Sequence, residues 1–120
     1  NKAVVVHGQA GVGKTRIVLE AARIVAQKDG YKLLCVKSNN LQLYDDLVAN
    51  TDRPESYLFF IDDANELSGL NLVLDYITRE KSGYQIKVIM TVRDYVKKDV
   101  ICEVEKHVKP CTYELSAFFR

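Results

Sequence analysis

Two stretches of this sequence combine residue types suited to gripping a phosphate and a hard cation. The first is Gly8-Gln9-Ala10-Gly11-Val12-Gly13-Lys14-Thr15, with Arg16 directly behind it. Glycines in such a loop permit a tight path in which successive backbone N–H groups face an anion, and a helix opening at its far end adds its positive dipole end. Gly11 removes one more side chain, so the loop closes on the bound group. Lys14 then supplies a point charge bridging β- and γ-phosphates, and the Thr15 hydroxyl offers a ligand to Mg²⁺. The second stretch, Tyr57-Leu58-Phe59-Phe60-Ile61-Asp62-Asp63, is an apolar run ending in two acids. A carboxylate at the carboxyl end of a buried strand lies on the edge where open α/β sheets bind ligands, so Asp62 is expected to hold Mg²⁺ through a water. Asp63 follows it as a candidate for orienting an attacking water. Plainer roles compete: a chance glycine turn for the first stretch, and a helix N-cap with a first-turn acid for the second.

Elements on both sides must hold these residues in place. Five apolar runs, Ala3 to His7, Lys32 to Lys37, Tyr57 to Ile61, Ile86 to Val92 and Thr112 to Leu115, alternate with helix-like segments. That alternation predicts an α/β fold, a three-layer sandwich with a five-stranded parallel sheet between helices. The runs are continuous stretches, not alternating ones, as expected when both faces of a sheet are covered. Ile17, Val18, Ala21, Ile24 and Val25 recur at helical spacing, and Asp29-Gly30 supplies a stop. Leu41, Tyr44, Leu47 and Val48 predict a shorter helix, ended before Pro54 because a proline pushes its predecessor out of the helical region. Leu67, Leu70, Leu74 and Ile77 mark a third helix closed by Ser82-Gly83, and a fourth is predicted over Asp99 to His107, before Pro110.

Bulk composition narrows the function classes. The 120 residues are enough for one domain and one core. With 48% hydrophobic and 28% charged residues the chain is of ordinary globular composition. A formal net charge of +1, with acids and bases interspersed, provides no basic field for nucleic acid. Lys97-Lys98 and the Lys106 to Lys109 segment read as solvated faces. Cys35, Cys102 and Cys111 lack Cys-x-x-Cys spacing and are expected as buried, reduced thiols, with no disulfide framework and no zinc site. No charged-then-apolar leader opens the sequence, and no apolar stretch approaches the ~20 residues of a membrane span, so a cytoplasmic location is expected. The chain opens at Asn1 almost inside an apolar strand and stops at Arg120 just after another, which suggests that residues 1–120 are one module of a longer protein.

The glycine loop between a strand and an amphipathic helix is a Walker A, or P-loop, motif, and the strand ending at Asp62 resembles a Walker B strand. A second strand between them in sequence resembles the additional-strand P-loop ATPases, and the resemblance implies a sheet order 5-1-4-3-2. Guanine specificity is disfavoured: Asp62 is followed by Asp63-Ala64-Asn65 instead of Asp-x-x-Gly, and no Asn-Lys-x-Asp follows. Val88-Ile89-Met90-Thr91-Val92-Arg93-Asp94, placed after a strand ending in Asp-Asp, resembles the STAND signalling ATPases, which include the NB-ARC and NACHT groups. That resemblance implies that Arg93 senses the terminal phosphate, with Thr91 a polar sensor beside it; the plainer role for Arg93 is capping the next helix. It implies an ATP or ADP cofactor with Mg²⁺, slow hydrolysis, and partner domains such as a helical lid and a winged helix, with association between copies. Thr112 to Ser116 resembles the strand leading into that lid. Asp63 in place of the longer glutamate suits a switch better than a motor. An AAA-type motor or loader would need a glutamate base and an arginine finger, and Arg53, Arg79 and Arg93 have no such context. A small-molecule P-loop kinase would need a lid rich in arginine, yet only Arg120 follows Arg93. A vestigial scaffold would need neither Gly13-Lys14-Thr15 nor Asp62.

Overall fold

The computed structural model describes residues 3–9, 13–36, 43–79 and 81–115, with only the backbone of Lys14 and Leu43. Five strands, β1 (Ala3–Gly8), β2 (Lys32–Val36), β3 (Ser56–Ile61), β4 (Gln85–Arg93) and β5 (Cys111–Leu115), alternate with four helices, α1 (Lys14–Asp29), α2 (Leu43–Asn50), α3 (Leu70–Thr78) and α4 (Lys97–Glu105). Short 3-10 turns at Ala64–Glu66 and Asp94–Val96 follow β3 and β4. All strand pairs are parallel, in the order β2-β3-β4-β1-β5, which is the expected 5-1-4-3-2 read from the other edge. β4 lies between β1 and β3, so the strand that follows them in sequence separates them in space.

Side-chain parity divides the core between the two faces of the sheet. Ala3 and Val5, Tyr57, Phe59 and Ile61, and Val88, Met90 and Val92 point to one face, where they pack with Leu47 of α2, with Leu70, Val73, Leu74 and Ile77 of α3, and with Val100 and Val104 of α4. Val6, Leu58 and Phe60 point to the other face, against Val18, Ala22 and Ala26 of α1. β1 and β3 are thus covered on both sides, which is why they read as unbroken apolar runs. β5 departs from that expectation. It is an edge strand with Thr112, Tyr113 and Glu114 exposed; among the described residues it pairs with β1 alone.

α1 also differs from the periodic reading. Ile17, Ala21, Ile24 and Val25 lie outward, and of the expected stripe only Val18 is buried, with Ala22 and Ala26 completing the inward face. Two alanines let the helix approach the sheet closely, and a larger residue there would hold the layers apart. The helix closes at Gly30, whose φ of 76° is left-handed and whose N–H bonds back to the Ala26 carbonyl. α2 covers the predicted Tyr44, Leu47 and Val48, of which Leu47 alone is buried; Leu41 lies outside the described residues, as does Lys37 of the predicted second strand. Leu67 precedes α3 instead of starting it, and α4 begins two residues before the expected Asp99. Gly83 turns the chain into β4 with φ 85°, and a Cβ there would stand 2.9 Å from the Pro54 Cβ, so both the backbone angle and the space call for glycine.

The cysteines are a correction. Cys35 and Cys102 are exposed and Cys111 is partly covered, because two sit on edge strands and one on the outer side of α4. Among the described residues no helix is long and apolar enough to cross a membrane.

Candidate functional site

β1, β3 and β4 are parallel neighbours, so their carboxyl ends come together at one edge. The register places Gly8 opposite Arg93, Val6 opposite Thr91, and Ile61 opposite Met90. Asp62, one residue past β3, therefore stands level with Thr91. Both share the side-chain parity of the α1 face. The chain leaves β1 at Gly8, and α1 begins at Lys14 after Gly13, whose φ of 76° is a conformation open to glycine at little cost. Nothing lies within 4 Å of a Cβ built on Gly13, so backbone angle, not space, accounts for the residue. Ala10, Gly11 and Val12 and the Lys14 side chain lie outside the described residues.

A chain of short hydrogen bonds joins the three elements at this edge. The Thr15 hydroxyl donates to Asp62 Oδ1 at 2.7 Å, and the Thr91 hydroxyl donates to the same oxygen at 2.7 Å. Thr91 Oγ1 also accepts the Asp63 backbone N–H at 2.7 Å. Thr91 is fully buried, so its single proton and one of its lone pairs are both engaged by groups of the β3 terminus. Hydroxyl–carboxylate bonds are charge-assisted, each of the order of 1.5–3 kcal/mol when shielded from water. The Thr15–Asp62 bond is the more exposed of the two and belongs at the lower end of that range or below it.

Asp63 is the only non-glycine with positive φ among the described residues, at φ 49° and ψ 60°. Aspartate tolerates this region better than most residues, and the bond from its N–H to Thr91 holds it there. It occupies the N-cap position of the Ala64–Glu66 turn without making a capping hydrogen bond. Its carboxylate instead faces Arg93, with Oδ1 3.9 Å from Nε. Arg93 is the last residue of β4 and likewise makes no cap on the turn that follows. Its side chain is 38% exposed, and its backbone N–H reaches Asn65 Oδ1 at 3.4 Å. Arg16 is exposed on the first turn of α1, and Gln9 is exposed after β1.

One pairing at this edge was not foreseen from the sequence, that of His7 with Asp94. His7 Nδ1 lies 2.8 Å from Asp94 Oδ1, on the face of the sheet opposite Thr91. A histidine inside an apolar strand, directly before the first loop glycine, was the available signal. No group of three or more His, Cys, Asp or Glu that could hold a metal is present among the described residues.

No curated protein matches this chain. A family model, however, matches residues 1–100, and with the strand order and the joined β1, β3 and β4 termini it places the chain in the Novel STAND NTPase 5 family.

Proposed function

We propose that this chain is the ATP-binding switch domain of a STAND-type signalling or defence protein, a P-loop domain that binds Mg²⁺-ATP and Mg²⁺-ADP and hydrolyses ATP slowly in the cytoplasm. Family membership supports a nucleotide; the convergence of Thr15 and Thr91 on Asp62 supports where its phosphates sit. Gly8, Gln9, Ala10, Gly11, Val12 and Gly13 would wrap the phosphates, with Lys14 and Arg16 supplying positive charge. The residues fit Mg²⁺. The Thr15 proton is committed to Asp62, which leaves the hydroxyl lone pairs for a cation, and Mg²⁺ keeps most of its waters and takes few protein oxygens. A site with one hydroxyl and one carboxylate needs no larger acidic cluster, and none is present among the described residues.

Arg93 suits a sensor of the γ-phosphate. Its register partner is Gly8, where the loop begins, and its present partner Asp63 is loosely held. A half-exposed ion pair is worth roughly 0–1 kcal/mol, whereas a charge-assisted bond to phosphate is worth about 1.5–3 kcal/mol. The phosphate wins, so Arg93 leaves Asp63 when a triphosphate arrives. Asp63, short and turned toward Arg93, is a poor base for activating water, which fits a switch better than a motor. A lid, a winged helix and further copies of the protein would be the partners that read the change.

Titration of the protein with fluorescent ATP, ADP and GTP, with and without Mg²⁺, tests the reading. We expect ATP and ADP to bind more tightly than GTP, Mg²⁺ to strengthen ATP binding, and Thr15→Val to remove most of the Mg²⁺ effect. Single-turnover hydrolysis should be far below the ~10 s⁻¹ median of enzymes. Equal GTP binding would refute the adenine preference, and fast turnover abolished by Asp63→Ala would favour a motor.

A further inference from the structure

Arg93 is held on both sides of the sheet. Two residues before it, Thr91 is tied to Asp62 on the α1 face. One residue after it, Asp94 is tied to His7 on the opposite face. His7 is 9% exposed and immediately precedes Gly8, the register partner of Arg93. A carboxylate only accepts, so the bond requires the Nδ1–H form of the ring, and the imidazole donates to Asp94. The contact spans 87 residues of sequence and links the residue before the phosphate loop to the residue after the proposed sensor. Only the Arg93 side chain is left loosely engaged, at 3.9 Å from Asp63.

We infer that the His7–Asp94 pair is a positioning device that fixes the β4 terminus against the start of the phosphate loop, and so sets how well Arg93 distinguishes ATP from ADP. This rests on the proposed nucleotide site. His7 and Asp94 touch no phosphate in this account; they act through Arg93. A sensor arginine held at the wrong distance gains less from the γ-phosphate while leaving the β-phosphate contacts intact, so the loss falls on ATP. The covering elements make the pair selective as well as structural: Val92 and Val100 already pack that face, so its hydrogen bond adds direction where apolar contacts alone would let the turn slide.

The test is a mutant cycle read as the ratio of ATP to ADP affinity, with folding monitored by thermal melting. His7→Leu should lower the ratio by roughly 3- to 10-fold, mainly through weaker ATP binding, and Asp94→Ala should do the same. His7→Asn, which keeps an N–H donor near the Nδ1 position, should restore most of it. In an Arg93→Ala background, His7→Leu should change the ratio no further. Should His7→Leu leave the ratio unchanged in a folded protein, or lower it equally with and without Arg93, the positioning role is overturned. If the unmutated protein binds neither nucleotide, the site itself is refuted, an outcome distinct from failure of the pair.

Discussion

At the scale of single residues, Thr91 ties the site together with one hydroxyl: it has no exposed surface and bonds to both Asp62 and Asp63. Valine matches threonine in shape but offers neither bond. Thr91→Val should therefore leave the Asp63 N–H unpaired in a part-buried, left-handed turn and destabilise the protein by about 1–3 kcal/mol, measured as a shift in urea midpoint. A loss under about 0.5 kcal/mol would mean that the hydroxyl is not what holds this turn. The same residue shows how far the sequence reaches. Asp62 and Thr15 were legible because each belongs to a local pattern with its own chemistry, though they are 47 residues apart. Thr91 and Arg93 were legible only through family resemblance. His7 and Asp94 lie in two separate patterns, the first apolar run and the stretch after β4, and pairing them needs the strand register that brings β1 beside β4.

Among elements, α1 gives the clearest separation between pattern and packing. Periodicity weights large apolar residues, and Ile17, Ile24 and Val25 are large, so the stripe they form dominates the sequence. Closeness to the sheet is instead set by small residues, and Ala22 and Ala26 take the inward positions at 2% and 5% exposure. Ala22→Leu should force the helix away from Leu58 and cost about 1–3 kcal/mol, whereas Ile24→Ala, at 59% exposure, should change stability by no more than about 0.5 kcal/mol. Denaturant melts of the two variants check the assignment; the reverse order of effects would return Ile24 to the core. The strands were easier. β1 and β3 lie in the middle of the layers and are mostly apolar, so their positions were clear from composition alone, while β5 reads Cys111-Thr112-Tyr113-Glu114-Leu115 and sits at an edge where Tyr113 is 58% exposed. Thr112 and Glu114 are the local sign in Thr112 to Leu115 that the covering is thin there, and both are exposed.

For the molecule as a whole, the sheet's buried interior makes a measurable demand at high pH. Tyr57 is fully buried, with its hydroxyl donating to the Arg53 carbonyl at 2.7 Å. Burial, and then the nearby Glu55 carboxylate, push its pKa above the ordinary value of about 10. The folded state then keeps its proton at a pH where the unfolded chain has lost it, so this contribution is present below the unfolded pKa and is lost as pH rises through the folded one. We expect the stability advantage of the unmutated protein over Tyr57→Phe to be full near pH 8 and to shrink above about pH 10, by urea denaturation at each pH. A constant gap across that window would contradict the assigned cause. The fold also has the opposite property, an open carboxyl edge where Gly8, Asp62, Thr91 and Arg93 come together and where a nucleotide would decide the state of the domain. That role is tested most directly by calorimetric titration of Mg²⁺-ATP and Mg²⁺-ADP into the unmutated protein, Lys14→Ala and Arg93→Ala. Lys14→Ala should weaken both nucleotides, while Arg93→Ala should cost about 1–3 kcal/mol for ATP and far less for ADP. An ATP-to-ADP affinity ratio unchanged by Arg93→Ala in a folded protein would contradict that role.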